Sequence, residues 1–142
     1  MKTVVGNLSR QHRDLMKVAT RLMGCLDPQR LVADPHAARR ALLELSGTLQ
    51  VHLAMEDRSF YPKLVQHSDE TLRALANRYL ETRGNLQEEF TAYRDRWTGA
   101  AIADAPDQFI AESQAMLGTL WTRMNEEDRE LHPLVIAHDD EG

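Results

Sequence analysis

The stretch "GTLQVHLAMEDRSFYP", residues 47–62, returns 71 residues later as "GTLWTRMNEEDRELHP", residues 118–133. Gly, Thr, Leu, Glu, Asp, Arg and Pro recur in register, while His52 is answered by Arg123. Leu49, His52, Glu56 and Phe60 recur at steps of three and four, which is the spacing of one helix face. Leu120, Arg123, Glu127 and Leu131 repeat the pattern in the second copy. The same offset carries His12 to Arg83, Leu15 to Leu86 and Pro35 to Pro106, so the repeat is wider than the two quoted segments. His12 and His52 stand 40 residues apart, as do Arg83 and Arg123. Two copies of one helical hairpin, packed about a pseudo-twofold axis, are expected.

Working outward, four apolar stripes of helical period cover most of the chain. Val5, Leu8, His12, Leu15, Ala19, Leu22 and Leu26 line the first; Leu42, Leu45, Leu49, His52, Glu56 and Phe60 the second. The third runs from Leu72 through Tyr79 and Arg83 to Trp97, and the fourth from Phe109 through Arg123 and Glu127 to Leu134. The segments "LDPQRLVADP" and "TGAAIADAP" read as connections. Asp34 before Pro35 and Ser68 before the third stripe read as helix N-caps. Pro62 and Pro133 should kink or end their helices about a turn and a half beyond Glu56 and Glu127. The fold class expected is all-α, an antiparallel up-down-up-down four-helix bundle forming one domain over residues 1–142.

Composition narrows the function classes. A chain of 142 residues with 42% hydrophobic and 27% charged residues can bury a core of its own. Its net charge of −5 and the lack of any Lys/Arg run argue against nucleic acid as a partner. No segment is long and apolar enough to span a membrane, and the polar turn after "MKTVVGNLSRQHRDL" leaves no signal-length apolar run. The single Cys25 has no partner for a disulfide and fits a reducing compartment. A cytoplasmic location is expected. No nucleophile-activating order of Ser, His and Asp and no glycine-rich phosphate cradle is present.

Each stripe carries a strongly polar residue near its middle: His12, then His52 with Glu56, then Arg83, then Arg123 with Glu127. His52 and Glu56 lie one turn apart on one face, as do Arg123 and Glu127. Burying such groups is expensive unless they are paired or bound to a metal. Imidazole nitrogens and carboxylate oxygens converging from facing helices suit a divalent transition ion, and bundle cores are a place to build such sites.

The segments "QHRDL", "HLAMEDRSFYPKL" and "EEDRELHPLV" resemble the hemerythrin-like, or HHE cation-binding, domains from about His12 to Pro133. That pattern is a His on the first helix, His-x-x-x-Glu on the second, and the same again on the third and fourth. The resemblance implies a bundle holding a non-haem di-iron centre bridged by two carboxylates. By position it makes His12, His52, Glu56 and Glu127 metal ligands and puts Arg83 and Arg123 where two ligand histidines would stand. A guanidinium stays protonated and offers no lone pair, so no di-iron centre is expected. Reversible dioxygen carriage, which shares a two-electron change between two irons, is not expected either, and the resemblance implies sensing, storage or ligand-binding roles, not an enzyme's catalytic cycle.

Three readings stand open at this point. One transition-metal ion, iron most readily but also manganese or zinc, is held by His12, His52, Glu56 and Glu127, and the protein serves in sensing, ligand binding or metal handling. Alternatively no metal binds, two Arg and two Glu close a neutral buried network with both His, and the bundle is a protein-interaction or regulatory module. In the third, Arg83 and Arg123 bind a small anion in the core. Tyr79, one turn before Arg83, reads as a core aromatic that can neighbour the site. Trp97 and Trp121 read as packing, and His36, His67, His132 and His138 as surface groups at helix ends. Glu126 and the terminal "HDDEG" read as a solvated acidic face.

Overall fold

The computed structural model describes residues 1–139, and among these every regular element is helical. Of the terminal "HDDEG" read as a solvated acidic face, residues 140–142 lie outside them. Four long helices correspond to the four stripes: α1 Lys2–Met23, α3 Pro35–Ser59, α5 Glu70–Arg96 and α7 Pro106–Glu126. Short helices lie between and after them: α2 Pro28–Ala33, α4 Tyr61–Leu64, α6 Gly99–Asp104, and α8 His132–Ala137, which follows a π-helical turn at Glu127–Leu131.

The connections differ from the sequence expectation, and they do so symmetrically. Both "LDPQRLVADP" and "TGAAIADAP" coil into a helix of six residues, α2 and α6. The offset of 71 residues maps α2 onto α6 end to end, and it maps Pro35 at the start of α3 onto Pro106 at the start of α7. The caps follow the same register. Asp27 accepts from the Arg30 amide at 2.9 Å, and Thr98 accepts from the Ala101 amide at 3.2 Å. Asp34 caps α3 through the Ala37 amide, whereas Ala105, its counterpart, has no side chain to offer. The N-cap of α5 is Asp69, not Ser68: its carboxylate accepts from the Leu72 amide at 2.8 Å, and its charge also suits the positive end of the helix. Pro62 and Pro133 each sit at the second position of a short helix that follows the Glu-bearing one, where a missing amide hydrogen is harmless.

α1 packs along α3 and against α7, α3 also meets α5, and α2 rests on α6. The apolar interior is divided in two. One cluster gathers Leu15, Leu45, Leu86, Phe109 and Met124 among others; the second holds Leu8, Phe60, Leu72, Tyr79 and Leu131. Along every long helix the polar residue falls between the two clusters: His12 between Leu8 and Leu15, Glu56 between Leu53 and Phe60, Arg83 between Tyr79 and Leu86, Glu127 between Met124 and Leu131. A polar layer therefore crosses the whole bundle at one level. Trp97 is buried at 2% exposure as expected, but Trp121 is 51% exposed. One residue of helix turns a side chain by about 100°, which carries Trp121 off the Leu120 stripe to the outer face.

Candidate metal centre

His12 on α1, His52 and Glu56 on α3, and Glu127 at the end of α7 meet in this layer, each at most 3% exposed. One nitrogen or oxygen from each lies within 4.8 Å of all the others. The two imidazoles approach through Nε2, 3.0 Å apart. What the opposite nitrogens touch fixes their protons. His12 Nδ1 faces the Asp128 carboxylate at 3.1 Å, which can only accept, so Nδ1 carries the hydrogen. His52 Nδ1 faces Gln11 Oε1 at 2.8 Å, while Gln11 Nε2 donates to Met55 Sδ. When both rings are neutral, their Nε2 lone pairs point at each other; a proton on either Nε2 turns the contact into an N–H···N hydrogen bond. Burial, then the charge of His12, lowers His52 to about 3, so it stays neutral at physiological pH.

The carboxylates are partly committed. Glu56 Oε1 lies 3.6 Å from His52 Nε2 and 3.7 Å from Arg83 Nε. Glu127 Oε1 accepts from Arg123 Nε at 2.9 Å. The second oxygen of each, Oε2, is buried without a hydrogen-bond partner. Burial raises Glu56 well above the usual carboxylate range, and the adjoining Glu127 adds to it. Burial also acts to raise Glu127, but its contact with Glu56 and the charges of Arg123 and His12 outweigh that and hold it low. Of the two adjoining carboxyls, Glu56 thus keeps a proton more readily and Glu127 ionises first.

Arg83 and Arg123 project into the same layer and are anchored from outside it. Arg83 gives Nη1 to Asp57 and Nη2 to the Leu53 carbonyl at 2.6 Å, leaving Nε buried and unpartnered. Arg123 gives Nη1 to Thr82 Oγ1 at 2.6 Å and Nη2 to the Tyr79 carbonyl at 2.8 Å. The Tyr79 ring lies beneath the Arg123 guanidinium at 5.0 Å, but its hydroxyl donates to Glu130 at 3.0 Å. Tyr79 therefore neighbours the site through its ring and carbonyl, with its phenol engaged elsewhere.

Tyr61 and His132, like Gln11 and Asp128, escaped the sequence reading as site residues. His132 is buried at 2% exposure, not a surface group. Its Nδ1 meets Asp128 Oδ1 at 3.0 Å and Ser9 Oγ at 3.2 Å, and its ring stacks on His12 at 5.6 Å. Burial acts to raise Asp128, but hydrogen bonds from His12 and His132 outweigh it and hold its carboxyl well below the usual range. The π-helical turn that begins at Glu127 presents Asp128 and His132 to α1, a common use of such turns at functional sites. Tyr61 is 1% exposed, with its hydroxyl buried and unpartnered. Burial, then the Glu127 and Glu56 carboxylates, push its phenol far above its ordinary value. Tyr61 and His132 are related by the 71-residue offset, each standing before a proline and five residues after its Glu. That register was the available signal. His36 is exposed as expected, and Cys25 is buried with its thiol directed to the Arg21 carbonyl.

The donor set tests well against a transition ion. Metal–nitrogen bonds of about 2.1 Å at right angles separate two nitrogens by about 3.0 Å, the spacing of the two Nε2 atoms. Donors on such a shell lie at most about 4.2 Å apart, so the 4.8 Å cluster closes on an ion by a few tenths of an ångström. Two unpartnered carboxylate oxygens and two facing lone pairs are what a cation would satisfy. A groove of about 310 Å³ between α1 and α7, bordered by Met16, Trp121 and Met124, reaches His12 and Asp128. No helix among the described residues is long and apolar enough to cross a membrane.

No curated protein and no solved structure matches the chain significantly. The family model of the hemerythrin HHE cation-binding domain matches residues 3–135, nearly the whole chain. With its all-helical fold and a buried His/Glu cluster able to hold a metal, the chain belongs to the hemerythrin HHE cation-binding domain family.

Proposed function

We propose that this protein binds a single divalent transition ion (iron, manganese or zinc) in an up-down-up-down bundle and serves in ligand sensing or metal handling, neither as an enzyme nor as a dioxygen carrier. The ligands are Nε2 of His12, Nε2 of His52, and one oxygen each of Glu56 and Glu127. The observation that carries this reading is the pair of Nε2 atoms facing each other at 3.0 Å while both Nδ1 atoms are held by acceptors. With both rings neutral, two lone pairs meet at that distance, and a metal ion between them would satisfy both, as a single shared proton does in its absence.

Charge supports the same reading. Glu56, Glu127, Asp57 and Asp128 set four carboxylates against the two guanidiniums of Arg83 and Arg123 around this layer. Burial raises Glu56, so a cation bound there would displace a proton as well as meet this excess of carboxylates. A second ion would meet the guanidiniums, which repel it and cannot ligate. Arg83 and Arg123 thus stand in for a second metal's charge. A bound ion supplies Lewis acidity and exchangeable coordination positions. Gln11 and Asp128 keep each imidazole turned with Nε2 inward, and the apolar clusters on either side keep bulk water out.

The metal-free network has observations in its favour: Arg123 already pairs with Glu127 at 2.9 Å, Arg83 Nε lies 3.7 Å from Glu56 Oε1, and the two imidazoles meet at 3.0 Å. Elemental analysis of protein purified without chelator separates the two. Near one equivalent of metal, lost in His52→Ala, is expected; fully folded protein that stays metal-free after iron supplementation would refute the metal reading and leave the interaction module.

A further inference from the structure

The groove between α1 and α7 carries features that the metal centre does not use. Trp121, Met16 and Met124 give it an apolar lining, and Trp121 is 51% exposed. An indole half in water keeps a bare face on which a flat ring can stack, and thioethers are soft and adapt to such rings. On the α1 side of the groove Arg13 and Lys17 stand one turn apart, both exposed. Among the described residues neither side chain makes an ion pair or a hydrogen bond. In a chain of net charge −5, two neighbouring unpaired cations create a local positive field. The one carboxylate on the lining, Asp128, is already engaged: its Oδ1 accepts from Ser9, His12 and His132 at 3.3, 3.1 and 3.0 Å. The groove holds about 310 Å³, at the low end of the roughly 300–1,000 Å³ of small-molecule sites.

We propose that this groove binds a small aromatic carboxylate, its ring against Trp121, Met16 and Met124 and its carboxylate on Arg13 and Lys17. A guanidinium and an ammonium one turn apart offer charge-assisted hydrogen bonds to the two oxygens of one carboxylate, so a neutral guest is the poorer fit. The volume suits a single ring with a short acidic arm and is too small for a long acyl chain. His12 is the one candidate metal ligand on the lining, and the anion's contacts are with other residues, so the inference stands without the metal reading.

The test uses phenylacetate as the probe on the full chain, with affinity measured by calorimetry and the indoles followed by fluorescence excited at about 295 nm, where the probe does not absorb. Trp97 is buried at 2% exposure, so the fluorescence response should come from Trp121 and vanish in Trp121→Phe. Phenylacetate should bind saturably, and the isosteric neutral phenylacetamide at least about tenfold more weakly. Arg13→Gln combined with Lys17→Gln should also cost about tenfold in phenylacetate affinity, with an unchanged melting temperature because both side chains are exposed. No saturable binding up to about 10 mM would overturn the proposal. Equal affinity for the amide, or an unchanged affinity in the double variant, would overturn it as well, because the carboxylate would then not sit on these two cations. Tighter binding of octanoate than of phenylacetate would make the guest an acyl chain and overturn the aromatic assignment.

Discussion

Acidification should weaken this fold through His52, by an amount that its burial sets. The imidazole is 3% exposed, and burial together with His12 lowers it from 6.5 to about 3. Above pH 6.5 His52 is neutral whether the chain is folded or not, and it adds no pH dependence. As pH falls below 6.5 the unfolded chain takes up a proton that the folded one refuses until about pH 3. Stability is lost throughout that window. At pH 5 the loss is about 2 kcal/mol, and in a chain of this length it lowers the melting temperature by about 7 °C. The assay is urea or thermal denaturation of chelated protein at pH 8 and pH 5, for the native chain and His52→Asn. The native chain should lose about 2 kcal/mol more than the variant between the two pH values. Equal losses would refute the argument, because they would mean that His52 is protonated in the folded state. Metal-loaded protein should respond more steeply, since coordination also requires a bare Nε2 and acid releases the ion.

Asp128→Asn removes the carboxylate that holds His12 Nδ1–H at 3.1 Å, and metal affinity should fall about tenfold in chelator competition. Unchanged affinity would show that the ring is held by packing alone. Arg83→His combined with Arg123→His should raise the metal content toward two equivalents by elemental analysis; a double variant that stays at one would break the positional mapping between the two halves. Gly47→Ala, on the exposed face of α3 with nothing within 4 Å of an added Cβ, should stabilise by about 0.5–1 kcal/mol in urea denaturation. Destabilisation there would mean that the face is covered.

Helical period, the 71-residue repeat and one polar position per stripe are sequence properties, and they were enough to predict four long helices and to single out His12, His52, Glu56, Arg83, Arg123 and Glu127. Period assigns a residue to a face because side-chain direction repeats along a helix whatever surrounds it. It does not say which ring nitrogen turns inward. That depends on acceptors from other helices: Asp128 lies 116 residues from His12, and Gln11 lies 41 from His52. Nor does period govern the turn after a helix, so His132 reads as a surface group at a helix end and Tyr61 stands out on no stripe, while the proline-led turns bury both. Trp121 shows the converse, a large aromatic that composition assigns to the core and helix geometry puts outside. What the tertiary structure alone decided is the pairing within the polar layer. Arg83 turns to Asp57 and the Leu53 carbonyl, Arg123 reaches Thr82 and the Tyr79 carbonyl, and two imidazole Nε2 atoms and two carboxylate oxygens are left in one layer. Those pairings are set by distances between helices, a quantity that no single helix encodes.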